Sequence, residues 1–216
     1  MSELMKKVIL SLVGLLIFIM VNAQTDSVPN KFINLTFGYG PTNVVGKDVA
    51  DHWESKMGFQ LGASYLSLNP SQRILFEPGI RIISAGTQGK APSPAISTVM
   101  IDLTTSFTYL EPYLKVKLNT PKNLYPYAGL GVAFLTKAEL RQEAVFMGVT
   151  QSRTDDISNQ FAEVNYPILL GIDFLLNDRF IIGLEYSRTL NSIDEVANRS
   201  FSAQKIMLNV GVGFRL

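Results

Sequence analysis

The chain of 216 residues contains no cysteine and a single histidine. The missing cysteines exclude disulfide bonds, thiol chemistry and a cysteine-linked lipid anchor. Charge is also scarce, since charged residues make up 17% of the chain, against nearer 25% in an average globular protein. After the N-terminal segment, no apolar run is long enough for a transmembrane helix. The chain is nevertheless 47% hydrophobic, and this combination is typical of alternating membrane strands.

Residues 1–23 have the pattern of a cleavable secretory signal peptide. Lys6 and Lys7 precede the apolar stretch Val8–Val21, and Val21-Asn22-Ala23 fits the small-x-Ala cleavage rule. The alternative is an uncleaved N-terminal anchor. Cleavage after Ala23 predicts one barrel domain over residues 24–216. Because cleavage removes two lysines and one glutamate, the remaining domain has no net charge, and nothing in its charge favours a nucleic-acid partner.

The last segment, Lys205–Leu216, alternates most regularly. Every second side chain is apolar, and the residues between them are polar, methionine or glycine. Side chains on a strand alternate between two faces, so one face of this strand is wholly apolar. A strand of about 10 to 12 residues also suits a tilted crossing of a bilayer.

The same alternation recurs and predicts eight strands. They are Phe32–Gly40, Met57–Leu68, Arg73–Ser84, a strand within Leu103–Leu118, Leu124–Lys137, Phe161–Leu175, Arg179–Leu190 and Lys205–Leu216. The connections alternate long and short, and the second and third long loops are expected at Ala85–Asp102 and Ala138–Gln160. Outer-membrane barrels have short periplasmic turns and longer extracellular loops. The fold class predicted is therefore all-β: an eight-stranded antiparallel up-and-down transmembrane β-barrel, which must close because backbone groups in lipid have to pair.

Alternation alone does not decide which face points outward. A soluble eight-stranded barrel has an apolar interior and a wet exterior, so a soluble secreted barrel or sandwich is the alternative. The signal peptide, the low charge and the loop pattern favour an apolar exterior facing lipid. Ten charged residues then form a predicted barrel-interior polar network: Glu77, Arg81, Glu111, Lys115, Lys117, Glu163, Asp173, Glu185, Lys205 and Arg215. Two interpretations stay open, a paired and closed core or the lining of a solute path.

Aromatic residues are candidates for the girdles that such barrels place at the two membrane interfaces. The candidates are Tyr39, Trp53, Tyr65, Tyr109, Tyr125, Tyr166 and Tyr186.

Four segments resemble the PorT-type outer-membrane β-barrel family, a group with eight predicted strands. Tyr109–Lys115 is similar to the family's "YLEIP-L-LK" strand, although here Glu111 is followed directly by Pro112. Leu75–Gly79, Tyr125–Gly131 and Gly211–Leu216 resemble its preceding, following and closing strands. The resemblance implies the outer membrane, and the family's named member is associated with protein secretion. Because the last residue is Leu216 instead of an aromatic, recognition of the C-terminal strand by the barrel-insertion machinery would depend on Phe214.

Enzymatic and metal-binding patterns are weak. His52 follows Asp51 in the first long loop, where a lipid-modifying barrel could hold an acyl-transfer triad. Glu139, Glu143, Asp155 and Asp156 form an acidic loop group without EF-hand spacing. Neither pattern predicts a catalytic residue, a metal or a cofactor.

The sequence therefore predicts a non-enzymatic structural, assembly or secretion-associated barrel that acts through its long loops or periplasmic turns. Its expected partners are outer-membrane lipid, the insertion machinery and proteins at the long loops, where the apolar segment Ala144–Val149 is a candidate contact. The alternatives are a small-solute channel or, less favoured, a lipid-modifying enzyme.

Overall fold

In a computed structural model, the described part of the chain is almost entirely β-strand. The structure describes residues 30–46, 53–69, 72–92, 100–120, 123–146, 149–176, 179–193 and 201–216. The predicted signal peptide and His52 lie outside these residues. The strands are β1 (Asn30–Gly46), β2 (Trp53–Leu68), β3 (Ile74–Pro92), β4 (Met100–Leu118), β5 (Leu124–Gly131), β6 (Ala133–Phe146), β7 (Val149–Asp156), β8 (Val164–Asn165), β9 (Pro167–Leu176), β10 (Phe180–Thr189) and β11 (Phe201–Arg215).

Antiparallel neighbours join these strands into a closed ring. The order β3-β2-β1-β11-β10-β9-β5-β4 is completed by pairing of β3 with β4. β5 continues into β6 across a break at Val132, whose N–H donates to the Pro112 carbonyl oxygen at 3.0 Å. β8 likewise continues into β9, while β7 pairs only with β6 and lies outside the ring. Ten of the eleven segments thus make eight barrel strands, and the predicted all-β up-and-down fold is confirmed.

Alternation along the strands separates an apolar exterior from a polar interior. On β11, Ile206, Leu208 and Val210 are exposed, whereas Lys205 and the other residues between them are buried. The same division holds on the other barrel strands, for example at Leu35 and Phe37 on β1. A soluble barrel would have the opposite polarity, so the expectation of an outward apolar face is correct. No helix within the described residues is long and apolar enough to span a membrane.

The short connections are tight turns at the end of the barrel that holds the described N- and C-termini. In the first turn, the Gln72 N–H donates to the Asn69 carbonyl oxygen at 3.0 Å. Asn123 closes the second turn with φ of 56°, a left-handed conformation that asparagine tolerates better than most residues. This turn end is the periplasmic end of such barrels, and the longer connections are extracellular.

Two of the predicted long loops are wrong in extent. β3 continues to Pro92 and β4 begins at Met100, and the two strands stay paired throughout, from Ala85↔Phe107 to Pro92↔Met100. The expected loop Ala138–Gln160 is instead a hairpin of β6 and β7, paired from Glu139↔Asp156 to Phe146↔Val149. Gly86, Gly89 and Pro92 indicated a loop, but cross-strand pairing with β4 holds these residues in β3. The barrel wall therefore extends well above the outward apolar band.

Apolar clusters lie inside the barrel near each end. The periplasmic cluster consists of Leu66, Leu75, Tyr125, Leu175 and Ile181. The extracellular cluster consists of Val44, Ile83, Ala85, Phe107, Tyr109, Ala133, Ala138, Ile157 and Ile193. An eight-stranded barrel is just wide enough for side chains to fill it. Between the two clusters the interior is polar.

Candidate functional site

Five strands contribute the buried charges in the middle of the barrel. β3 supplies Glu77 and Arg81, and β4 supplies Glu111, Lys115 and Lys117. The neighbouring strands β9, β10 and β11 supply Asp173, Glu185 and Lys205 respectively. Within the described residues the buried charged side chains are thus four acids and four bases. The interior is formally neutral, as an enclosed environment of low dielectric requires.

Arg81 lies at the centre of this network. Its Nη2 donates to Glu111 Oε1 at 2.5 Å and its Nε to the same oxygen at 3.0 Å. Its Nη1 donates to Glu185 Oε1 at 2.6 Å. Arg81 and Glu111 are direct cross-strand partners of β3 and β4, whereas Glu185 reaches it across the barrel. One guanidinium therefore ties together strands on two sides of the interior, a geometry that suits its fixed fork of donors.

Lys115 and Lys117 carry the network toward the periplasmic end. The Lys115 ammonium lies 3.0 Å from Glu185 Oε2. The Lys117 ammonium pairs with Glu77 and also donates to Asp173 Oδ2 at 2.6 Å. Glu77 accepts a further hydrogen bond of 2.6 Å from the Ser64 hydroxyl. These contacts link β2, β3, β4, β9 and β10.

Two tyrosines lie among the lysines and fill the space between the charges. The Lys115 ammonium is 5.1 Å from the ring centre of Tyr113 and 4.4 Å from that of Tyr127, within the range of cation–π attraction. The Tyr127 hydroxyl donates to Glu185 Oε2 at 3.0 Å. Each ring lies over the glycine opposite it in the neighbouring strand, Gly79 and Gly171 respectively, where an added Cβ would meet the ring at 2.5 Å. These glycines make room for the two rings.

The arrangement therefore favours a closed core over a solute path. Each of the four buried carboxylates lies in at least one ion pair, and apolar clusters lie on either side of the network. A charge buried in such a site is costly when it loses its partner, so these side chains hold one another in place. They stabilise the barrel mutually.

Eight of the ten residues predicted for the interior network lie buried inside the barrel. The structure brings together Glu77, Arg81, Glu111, Lys115, Lys117, Asp173, Glu185 and Lys205. The prediction that Glu163 and Arg215 lie in the interior was wrong, because both side chains are exposed. Glu163 lies at the bend before β8, and Arg215 is the last residue of β11. Alternation gave each the correct parity, but both lie at strand ends, beyond the enclosed part of the barrel.

Of the aromatic residues predicted for the interface girdles, some lie on the outer face and others lie inside the barrel. Tyr39 and Tyr166 are exposed on the outer face, as a girdle requires, but Tyr109 and Tyr125 are buried inside the apolar clusters. Sequence reasoning overlooked the interior roles of Tyr113 and Tyr127. The available signal was their position on the same alternating face as Lys115 and Lys117.

The acidic group of the third long loop forms local pairs on the β6–β7 hairpin. Glu139 pairs with Lys137, Glu143 with Arg141, and Asp155 with Arg153. Asp156 accepts hydrogen bonds from the backbone N–H and the hydroxyl of Ser158 at 2.9 and 2.7 Å, and these bonds hold the pKa of its carboxyl below its usual value. Among the described residues there is no group of three or more potential metal ligands.

Comparison with protein-family models agrees with this fold, in which a closed ring of strands has an apolar exterior and a polar interior. The model described as "Outer membrane protein beta-barrel domain" matches residues 11–214. The chain belongs to this outer-membrane β-barrel family. It is therefore an outer-membrane protein, as the sequence predicts. The match does not single out the PorT-type group.

Solved structures with a similar fold come from several bacteria. Ail, the attachment invasion locus protein of Yersinia pestis, is 16% identical with a TM-score of 0.47, and the match covers 86% of this chain and 99% of Ail. Neisserial surface protein A is 10% identical with a TM-score of 0.46, covering 84% and 97%. The outer membrane protease OmpT of Escherichia coli is 9% identical with a TM-score of 0.42, covering 89% and 99%. Among curated proteins, no sequence matches this chain. At these identities no activity is transferred from these structures.

Proposed function

We propose that this protein is a non-enzymatic structural barrel that supports a protein-assembly or secretion apparatus in the outer membrane through its extracellular hairpin. The observation that carries the proposal is the charge-paired interior between two apolar clusters. Because the buried acids and bases pair with one another, the outer surfaces remain as the sites of action. The segments that resemble the PorT-type family, above all Tyr109–Lys115, support a link to secretion.

The β6–β7 hairpin is the outer surface best suited to a protein partner. β7 pairs with β6 on one side, and the sheet order ends at β7. An edge strand of this kind can accept an added strand from another protein. Near the tip, Val145 and Val149 are each 61% exposed, an apolar feature above the lipid-facing band. A partner that adds a strand along β7 and packs on these valines would use both features.

Shortening the hairpin in the native host tests this proposal. Leu140 and Asp155 face each other across the hairpin, so residues 141–154 can be replaced by an Asn-Gly turn, which suits a two-residue connection. We expect secreted protein in the culture medium to fall by about tenfold or more, which corresponds to a loss of about 1.4 kcal/mol of partner binding. Heat-modifiable gel mobility checks that the shortened barrel still folds.

A matched control keeps the hairpin and changes only its polar surface. Thr150→Ala with Ser152→Ala alters two exposed residues of β7 and leaves the valines and the backbone edge in place, so secretion is expected to remain at the wild-type level. Wild-type secretion by a shortened protein that is folded and present in the outer membrane would contradict the proposal.

A further inference from the structure

A small cavity with a mixed polar and apolar lining lies between the ionic network and the extracellular apolar cluster. Its volume is about 30 Å³, and its polar lining includes Tyr109, Glu111, Asn165, Ser187, Thr189 and Lys205. These residues come from β4, β8, β10 and β11, so the cavity lies within the barrel. A site of this size has room for one or two water-sized particles.

Lys205 is the most weakly paired of the buried bases. The side chain is buried, with 7% of the residue exposed, yet its ion-pair contact is with Glu111 Oε2 at 3.8 Å. That distance is longer than a hydrogen bond. The other carboxylate oxygen, Oε1, accepts two hydrogen bonds from Arg81. An ammonium group has three protons to donate, so a buried lysine at this distance from its carboxylate is poorly satisfied by the protein alone.

A second buried group at the cavity also lacks a protein partner. The Tyr109 hydroxyl has no hydrogen-bond partner among the described residues, and because only 5% of the residue is exposed, solvent does not replace that partner. Thr189 lines the same cavity, and its Oγ1 accepts a hydrogen bond from the Ala203 N–H at 3.0 Å, which leaves its own hydroxyl proton to donate. Buried donors of this kind are almost always hydrogen-bonded in folded proteins.

The charges of the network are also unevenly distributed around the cavity. Ion pairs divide the network into two groups. In the extracellular group Arg81, Lys115 and Lys205 share the carboxylates of Glu111 and Glu185. In the periplasmic group Lys117 alone pairs with Glu77 and Asp173. The whole network is neutral, but the group that borders the cavity has one positive charge in excess.

We infer that this cavity is a binding site for one small monovalent anion of the size of chloride or bromide. The Lys205 ammonium supplies the charge, and the hydroxyls of Tyr109, Ser187 and Thr189 are the further donors. Bound there, the anion offsets the excess positive charge and gives the two poorly satisfied donors a partner. The site is independent of any partner at the hairpin.

Diffraction from protein refolded in sodium bromide tests the inference directly. Refolding in the salt lets the anion enter before the barrel closes. At the bromine absorption edge we expect an anomalous peak in the cavity, beside Lys205 Nζ. Lys205→Met should abolish the peak, and Tyr109→Phe should weaken it. A cavity without an anomalous peak in the wild-type protein holds water only, which would overturn the inference.

A solution measurement uses the same variants. The midpoint of heat-modifiable gel mobility should be higher in sodium chloride than in sodium gluconate of equal ionic strength, by about 2 °C or more at saturating anion. Lys205→Met, if folded, and Tyr109→Phe should lose or reduce this difference. Lys90→Met removes an exposed lysine that pairs with the exposed Asp102 and should retain it. Equal wild-type midpoints in the two salts would count against the site.

Discussion

Replacing Arg81 by methionine should destabilise the barrel by about 3 to 5 kcal/mol, because it leaves Glu111 and Glu185 buried without their shared partner. In the native protein the guanidinium holds both carboxylates at 2.5 and 2.6 Å. Methionine fills much of the same volume, so the loss is mainly electrostatic. Urea unfolding of the refolded protein in lipid vesicles measures it as a lower midpoint.

Arg141→Met is the matched control for this variant. Arg141 is exposed on the hairpin, where it pairs with Glu143, and exposed pairs contribute only about 0 to 1 kcal/mol. Arg81→Lys should fall between the two, since it keeps the charge but loses the fork of donors. If Arg81→Met unfolds at the same urea concentration as Arg141→Met, the buried network does not stabilise the barrel.

Replacing Val210 by arginine should cost about 2 to 4 kcal/mol, because this side chain lies near the middle of the outward apolar band of β11 and arginine is unfavourable at the centre of a bilayer. Val210 is 50% exposed. On a soluble barrel, a charge at so exposed a position would be almost neutral. The free energy of unfolding in vesicles measures the difference.

Val149→Arg provides the comparison with the same two residue types. Val149 is even more exposed, at 61%, but it lies on the extracellular hairpin, where the new arginine stays in water. Its expected cost is within about 0.5 kcal/mol of zero. Equal costs for the two variants would contradict the assignment of the apolar face to lipid.

The faces of the strands were predictable because alternation is a local property of the sequence. The alternation of their sequence neighbours was enough to predict that Lys205 points inward and Ile206 outward. Phe134 shows where this fails. Strict alternation from the exposed Leu130 would place it on the outer face, but the break at Val132 shifts the alternation, and Ala133 and Phe134 are both buried. A break in pairing depends on the partner strand, so local periodicity does not indicate it.

The position of a residue along the barrel axis and the residue that it pairs with were less predictable than the face of the strand that it occupies. Alternation gave the parity of Glu163 and Arg215 but not their position at strand ends. The pairing of Arg81 with Glu111 depends on the register between β3 and β4, and its contact with Glu185 depends on how the ring closes. The hairpin strands were missed for another reason, since β7 is almost wholly exposed and shows no apolar alternation. Composition alone indicated a loop there.

Current through single refolded barrels in a planar bilayer shows whether the barrel interior is closed. Heat-modifiable mobility first confirms that the inserted protein is folded. Because the buried acids and bases pair with one another between two apolar clusters, we expect no steady ion current from the folded wild-type protein. A stable current from folded wild-type barrels would mean that the charged residues line an open path and that the interior is not closed.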